Sequence, residues 1–453
     1  MFVAIKGFDF DGHEYVAEAI ENGATAVMLD MSADFKKIKI PNGVTVIITD
    51  DTRKALARVS CNFYGNPSRY FKLIGVTGTK GKTTTTHMIK SVLEKAGYKV
   101  GLIGTIANYI GEECLGESSR TTPESLELQG LFYKMAKAKV DYVVMEVSSQ
   151  SLKLSRVEGC NFDYCVFTNL YKDHISEKEH PDMNDYFESK LKLFSMCPRG
   201  FVNSDDFKCN KIINASPNCN ITTYAVDNKA DVLAKDITIT NVSVDFKVKL
   251  GMRNERIKVN IPGRYSVYNA LATISLATAL GIDAEKIKEG LENILVPGRN
   301  ELVPNKAELP IMLDYAHTAE SLENILQASK TYTPGRVICV FGCGGDRDKT
   351  KRPRMGEVAG RLADYTIVTT DNPRTEDPEA IIKDIEEGIS KTKGKYEIIV
   401  DRREAIEKAI KMMNKRDLVI LAGKGHETYQ EINKQKFPFD ERVIVKEILG
   451  EKK

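Results

Sequence analysis

No run of apolar residues in the 453-residue chain reaches the roughly 18 that a membrane-spanning helix needs. The opening residues, MFVAIKGFDFDG, lack the basic head, the long apolar stretch and the cleavage site of a secretory signal. The nine cysteines are scattered and form no CxxC pair, which argues against a zinc site. Their odd number and wide dispersal fit reduced thiols in a cytoplasmic protein. An excess of charge of one sign is also lacking. With 65 Lys and Arg against 63 Asp and Glu, the formal net charge is +2. That leaves no electrostatic case for nucleic acid or an anionic membrane as partner, although a local anion site remains open. What is there is ordinary for a globular protein: 42% hydrophobic and 28% charged residues. The length exceeds one core, so two to four domains are expected.

To about residue 65 the pattern is a short α/β unit: VAEAIENGATAVML reads as helix, glycine stop and strand, and GVTVIITD as another strand. The Gly65-Asn66-Pro67-Ser68 cluster reads as a linker. The next segment opens on the apolar strand LIGV, a Gly-rich turn and a helix from about Thr83 to Ala96, stopped by Gly97. Thr122 and Pro123 read as N-cap and first residue of a helix to about Lys139. VGLIG, YVVMEV and YCVFTN read as strands, and NDYFESKLKLF as a helix. Between residues 220 and 262, ITITNVSVDFKVKL alternates with period two, the mark of antiparallel hairpins. Ser266 is read as the cap of a helix that Gly281 ends. From about Pro297, five strands (IMLDY, VICVF, TIVTT, YEIIV, LVILA) alternate with helical stretches, which predicts a mostly parallel, doubly wound sheet. The whole reads as α/β in three domains, 1–65, 66–297 and 298–453, the first small, the second large and the third of medium size.

Several groups carry chemistry. Gly78-Thr79-Lys80-Gly81-Lys82-Thr83-Thr84 lies between a strand and a helix. Backbone N–H groups and the helix N-terminus can cradle phosphates there, Lys82 adds charge, and the Thr83 hydroxyl can reach Mg²⁺. It is not a strict Walker motif, since Val76 stands where the first glycine would be. Glu146 falls at the carboxyl end of the YVVMEV strand, where an open α/β sheet faces its ligand. A carboxylate there is costly unless it is solvated or binds a cation, and Mg²⁺ is the obvious cation beside a nucleotide. Asn169, Asp173 and His174 follow the next strand at the same end. His174 counts as a catalytic candidate on that convergence, although a lone histidine in such a loop is more often structural. Lys190, in YFESKLKLF, reads on residue chemistry alone as a solvated helix lysine.

Three loops of the last segment would open on one crevice: Gly342–Asp348, Asp371-Asn372-Pro373-Arg374 and Gly423–Glu427. The first fails the dinucleotide pattern G-x-G-x-x-G because Arg347 replaces its last glycine. Arg347 and Arg374 offer guanidinium forks for carboxylates and Glu427 a counter-charge for an ammonium, a set that fits a zwitterion. Ordinary polar loops fit the same residues about as well.

The chain resembles the Mur ligases along essentially its whole length, through FVAIKGFDFDGHEY, GVTGTKGKTTT, TTPES, MEVSSQSLKLSRV, FTNLYKDH, YFESKLKLF, VPGRNE, DYAHT, FGCGGDRD, TDNPRTEDP and AGKGHETYQ. Within that family it is similar to the branch that adds the third residue of the peptidoglycan stem peptide. The resemblance implies a UDP-precursor domain, a central ATPase-like domain and a Rossmann-like C-terminal domain, with ATP and Mg²⁺ as cofactors. It implies transfer of phosphate to the D-glutamate carboxylate of a UDP-linked muramoyl-dipeptide, then attack by the amine of a diamino acid. It further implies a cytoplasmic monomer. By resemblance, Gly78 to Thr84 hold ATP together with Asn169, and Thr121, Thr122, Ser148 and Arg156 hold the muramoyl-dipeptide. Glu146 and Thr83 ligate Mg²⁺. Lys190 matches a lysine that the family carbamylates, with the added carboxylate binding a second Mg²⁺. Arg347, Asp371, Asn372, Pro373, Arg374, Gly423 and Glu427 match the amino-acid site, and DNPR matches its meso-diaminopimelate form.

Two departures stand out. The family's first domain usually begins some dozens of residues earlier, with a DSR box and a serine near the uridine, so the first domain is expected to be shortened and its UDP contacts incomplete. The stretch from His174 to Lys190 looks longer than usual, and Gln150 stands where the family often has His. Rival readings are a ligase for another acid or diamino acid (lysine, lanthionine, folylpolyglutamate), a non-catalytic nucleotide-binding relative, and a P-loop transport or motor ATPase. The DNPR and GKGHE boxes argue against the folylpolyglutamate type, the intact loop with Glu146 and Lys190 against the second, and the missing strict Walker box against the third.

Overall fold

The computed structural model describes every residue except Asp9, Lys37, Ser119, Glu177, Lys178, Lys452 and Lys453. Part of the lengthened stretch after His174 therefore lies outside the described residues. The chain forms two compact units, 1–233 with 271–287, and 234–270 with 288–453. Among the described residues no helix is long and apolar enough to cross a membrane.

The first unit opens with a small parallel sheet of strands Phe2–Val3, Ala26–Asp30 and Thr45–Thr49. Its larger sheet includes, in order, Asn220–Ala225, Arg199–Asn203, Tyr164–Phe167, Lys72–Thr77, Tyr142–Glu146 and Val100–Ile103, all parallel. Ala107–Ile110 and Glu113–Glu117 then turn antiparallel. Strands covered on both faces read as unbroken apolar runs, which is why LIGV and YVVM show no alternation. Phe167, Phe187 and Phe194 are buried in one core with Leu73 and Val143. Each such side chain contributes about 1.5–3 kcal/mol by leaving water.

In the second unit the strand order is Glu301–Leu302, Ile311–Asp314, Leu418–Ala422, Val337–Phe341, Tyr365–Val368 and Tyr396–Ile398. Only the first pair is antiparallel. Val337, Cys339 and Phe341 face one core with the helices Ala319–Tyr332, Lys351–Leu362 and Pro378–Ile389. Ile338 and Val340 face the other, with Arg402–Met412 and Glu441–Ile448. That two-sided cover is the doubly wound arrangement expected from the alternation of strand and helix. The hairpins expected after residue 220 are there: Val232–Ile239, Val244–Leu250 and Arg253–Val259 pair antiparallel.

Two helix starts differ from the expectation. The helix after Thr122 runs Ser125–Lys137 with Glu124 as N-cap. The Thr122 hydroxyl is engaged elsewhere, donating to the Glu146 carbonyl at 2.9 Å and accepting from the Ser148 amide at 3.0 Å. The helix expected to be capped by Ser266 begins two residues earlier and spans Arg264–Ala279. Ser266 sits inside it and donates to the Pro262 carbonyl, a local back-bond of the kind serine forms within helices.

Candidate active site

In the first unit, the strand Lys72–Thr77 ends in the glycine loop, and the helix Lys82–Lys95 starts from Gly81. Gly78 has φ +145, and a Cβ there would lie 1.9 Å from the Thr168 hydroxyl, so only glycine lets the loop pass this close. Asn169 pins the loop: its side-chain oxygen accepts from the Lys80 amide at 2.9 Å and its amide group donates to the Lys80 carbonyl at 3.1 Å. Lys82 Nζ donates to the carbonyls of Gly78 and Thr79, at 2.9 and 3.0 Å.

Glu146 is buried, only 1% exposed. It accepts from Thr83 Oγ1 at 3.0 Å, from Thr105 Oγ1 at 3.0 Å and from the Thr105 amide at 2.8 Å. Hydroxyls and one amide leave lone pairs on both oxygens, the donor set a hard cation prefers. Thr83 and Glu146 thus meet, as read from the sequence. Thr121 joins through Thr105, their hydroxyls 3.0 Å apart. Arg156 is buried against Glu124, 3.0 Å away, and donates to the Thr122 carbonyl. The structure therefore brings Thr121, Thr122, Ser148 and Arg156 into one connected patch beside Glu146.

Lys190 is not a solvated helix lysine. It is 2% exposed, donates to the Gly78 carbonyl at 2.8 Å and lies 4.5 Å from the Tyr186 ring centre. Burial pushes its ammonium well below the usual lysine range, the Lys82 charge adds to that, and Asp173 opposes it. His174 takes a left-handed backbone, φ +58, and its ring is half-exposed and oriented by Glu179 at 3.1 Å. Asp173 pairs with Lys80 at 3.2 Å. Sequence reasoning missed Tyr186, whose hydroxyl lies 3.1 Å from that of Thr79. It also missed His180, fully buried between Asp185 at 2.6 Å and Ser149 at 2.9 Å. Tyr186 opens the YFESKLKLF stretch, but only the fold brings its hydroxyl to the loop, and nothing in the local sequence marks His180.

In the second unit the three expected loops follow adjacent strands, so they do meet. Gly345 N donates to the Asn372 carbonyl at 2.9 Å, joining the first loop to the second. Asn372 Nδ2 donates to Glu427 at 2.8 Å and its Oδ1 accepts from Lys424 at 3.0 Å, joining the second to the third. Gly423, with φ +111, passes so near Asp371 that a Cβ would lie 2.7 Å from the carboxylate. Arg374 is held at two corners, by the Gly345 carbonyl at 2.6 Å and by Glu431 at 3.0 Å through Nε. The remaining guanidinium N–H groups are what a ligand carboxylate would take. Arg347 lies exposed on the first loop. Lys424 and Glu431 were not among the expected site residues. Lys424 is fully buried and bonded to Glu427 at 3.1 Å, so it fixes that carboxylate in place.

A glycine loop that opens a helix beside a buried carboxylate, in a chain whose second unit brings charged side chains of both signs together on adjoining loops, fits the class of nucleotide-dependent enzymes. Comparison with known proteins makes this specific. Residues 1–64 match the profile of the Mur ligase family catalytic domain, 76–277 the Mur ligase middle domain, and 298–425 the Mur ligase glutamate ligase domain. The UDP-N-acetylmuramoyl-L-alanyl-D-glutamate–2,6-diaminopimelate ligase of Caldanaerobacter subterraneus subsp. tengcongensis is 50% identical over 100% of this chain and 92% of its own length. Ligase 1 of the same name from Clostridium acetobutylicum is 48% identical, with the same coverage. A solved structure of a ligase with that name superposes with a TM-score of 0.71 at 28% identity, covering 99% of this chain and 91% of the other. Folylpolyglutamate synthase of Mycobacterium tuberculosis shares the fold at 16% identity, TM-score 0.63, over 82% of this chain and 92% of its own. The chain belongs to the Mur ligase family and has its three-domain α/β architecture. It is an ATP-dependent ligase that forms an amide bond.

Proposed function

We propose that this ligase joins the amine of meso-2,6-diaminopimelate to the D-glutamate side-chain carboxylate of UDP-N-acetylmuramoyl-L-alanyl-D-glutamate, a step of peptidoglycan precursor synthesis. Near full-length identity with ligases of that name supports the reaction. The observation that carries the choice of amino acid is a tethered cation and a tethered anion on adjoining loops: Arg374, held by the Gly345 carbonyl, and Glu427, bonded to Asn372 of the Arg374 loop. An ammonium meets Glu427, and the carboxylate that diaminopimelate has and lysine lacks meets Arg374.

ATP occupies the Gly78–Thr84 loop, whose amides and helix N-terminus favour phosphate. The precursor carboxylate takes the terminal phosphoryl group and ADP leaves. The amine nitrogen then attacks the acyl carbon, phosphate leaves, and the amine proton passes to a base. Lys82 stabilises the charge that builds on the phosphoryl oxygens. Thr83 and Glu146 would hold Mg²⁺, and Lys190 as a carbamate would hold a second ion. Bound there, Mg²⁺ neutralises phosphate charge. Burial suits Lys190 to this modification, because only the neutral amine attacks carbon dioxide. Thr121, Thr122, Ser148 and Arg156 position the muramoyl-dipeptide, and His174, oriented by Glu179, takes a catalytic role.

We assign the UDP end of the precursor to residues 1–65, ATP to 66–297 and the diamino acid to 298–453. The enzyme acts as a cytoplasmic monomer, where ATP and the UDP-linked precursor are both available. The test is ADP release with the muramoyl-dipeptide and a panel of amino acids. Turnover with diaminopimelate well above lysine and lanthionine is the expected result. Turnover only with a different acid or amine would overturn the assignment.

A further inference from the structure

Cys165, Cys197 and Cys219 lie far apart in sequence, yet their three sulfur atoms lie within 4.8 Å of one another, and all three residues are buried. They converge from the strand Tyr164–Phe167, from the turn between the helix Met183–Ser195 and the strand Arg199–Asn203, and from the residue before the strand Asn220–Ala225. These strands are parallel neighbours, and Gly200 pairs with Cys165 on one side and Ile221 on the other. The sulfurs therefore gather at the amino ends of the strands. The nucleotide loop and Asn169 sit at the carboxyl ends, so ligation does not account for the cluster.

Room for it comes from Gly200. A Cβ there would stand 3.0 Å from the Cys219 sulfur and 2.8 Å from the Phe194 ring, so any side chain would crowd the sulfurs. Cys197 Sγ also contacts the Arg199 carbonyl at 3.0 Å. All nine cysteines are free thiols, and among the described residues this is the one group of three or more His, Cys, Asp or Glu side chains that converge closely enough to hold a metal ion.

We propose that Cys165, Cys197 and Cys219 form a three-sulfur site for a soft, thiophilic metal ion, of which Cu(I) is the type. Thiolates select such ions, and hard oxygen-seeking cations such as Mg²⁺ do not compete for them. Three converging sulfurs meet the needs of a three-coordinate ion, whereas a tetrahedral zinc site needs a fourth ligand. Binding forms three metal–sulfur bonds, and each thiol proton lost goes to solvent. No electron is transferred. The ion would tie the end of the Lys190 helix to two strands of the sheet.

The experiment titrates the full-length reduced protein anaerobically with Cu(I) against a chromophoric Cu(I) chelator. One ion per chain is expected to be captured, with a sulfur-only, three-coordinate shell by X-ray absorption and a raised Tm. Outer-shell partners alone are worth about 10–100-fold in metal affinity, so Cys219→Ser, which removes a direct ligand, should weaken capture by more than about 100-fold. Cys114→Ser, at an exposed cysteine outside the cluster, should leave it unchanged. Should Cys219→Ser fold poorly, alkylation mapping of the wild type decides: bound Cu(I) must protect all three cysteines together. Capture that survives Cys219→Ser, protection elsewhere in the chain, or a disulfide among the three in the reduced protein would each overturn the site.

Discussion

Lys82 and Lys190 share one acceptor: the Gly78 carbonyl oxygen takes Nζ of the first at 2.9 Å and Nζ of the second at 2.8 Å. Two positive charges on one oxygen repel, and burial first, then the Lys82 charge, pull the Lys190 ammonium well below the usual lysine range. The expectation is that Lys190 becomes a carbamate. Lys190→Ala should lower ligation by orders of magnitude, with partial rescue by added short carboxylates. Isotopically labelled bicarbonate should give a carbamate resonance that the variant lacks. An unmodified lysine in fully active, nucleotide-bound enzyme rules this out.

Lys82→Ala should lower turnover by about 10²–10³, the usual cost of one preorganised donor to a developing charge. Unfolding midpoints should move far less, because Lys82 is bonded to its own loop rather than to the core. A loss of stability that accounts for the loss of rate would make it a structural lysine.

Arg374→Ala should reduce diaminopimelate use, read as kcat/KM, by the roughly 3–5 kcal/mol that an unpaired, largely desolvated charge costs. ATP binding should be untouched. Glu431→Gln keeps the shape of the partner but removes its charge, so it should raise the KM for diaminopimelate with a smaller effect on kcat. A wild type that prefers L-lysine would falsify the specificity reading.

His87 donates to the Thr83 carbonyl at 2.8 Å, and burial pushes it from 6.5 down to about 4. The folded state thus holds the neutral ring while the unfolded chain takes up a proton. The contribution is complete above 6.5 and is lost as the pH falls through the window from 6.5 to about 4. Over that span it amounts to about 3 kcal/mol. Denaturant midpoints measured across the window should fall more steeply for the wild type than for His87→Gln. Parallel slopes would show that the ring does not titrate there.

Local signals carried much of the reading. Strand, glycine loop and helix around Gly78 are visible because each residue type has a backbone reason to be there, and five of the six strands in the second unit's parallel-rich sheet are visible as apolar runs. Cap positions were less legible. Thr122 and Ser266 have the chemistry of caps, yet Thr122 spends its hydroxyl on Glu146 and Ser266 lies inside the helix. Lys190 shows the limit from the other side. Its neighbours spell an ordinary amphipathic helix, and only the packing of that helix against the loop buries its amine. The thiol cluster is illegible by spacing, because the fold, not a CxxC repeat, brings its members together.

The strands Tyr429–Ile432 and Gln435–Pro438 form a hairpin on which the Arg374 loop rests. Arg374 N donates to the Glu431 carbonyl and Asn433 N donates back to Arg374, so the arginine and its counter-ion are stitched together by main chain as well as side chain. Drift toward another diamino acid cannot proceed one substitution at a time: replacing the arginine strands a carboxylate, and replacing the carboxylate loosens the arginine. Wall chemistry is thereby locked against gradual change, and an engineer who wants a different cross-linking residue would have to transplant both segments as one cassette.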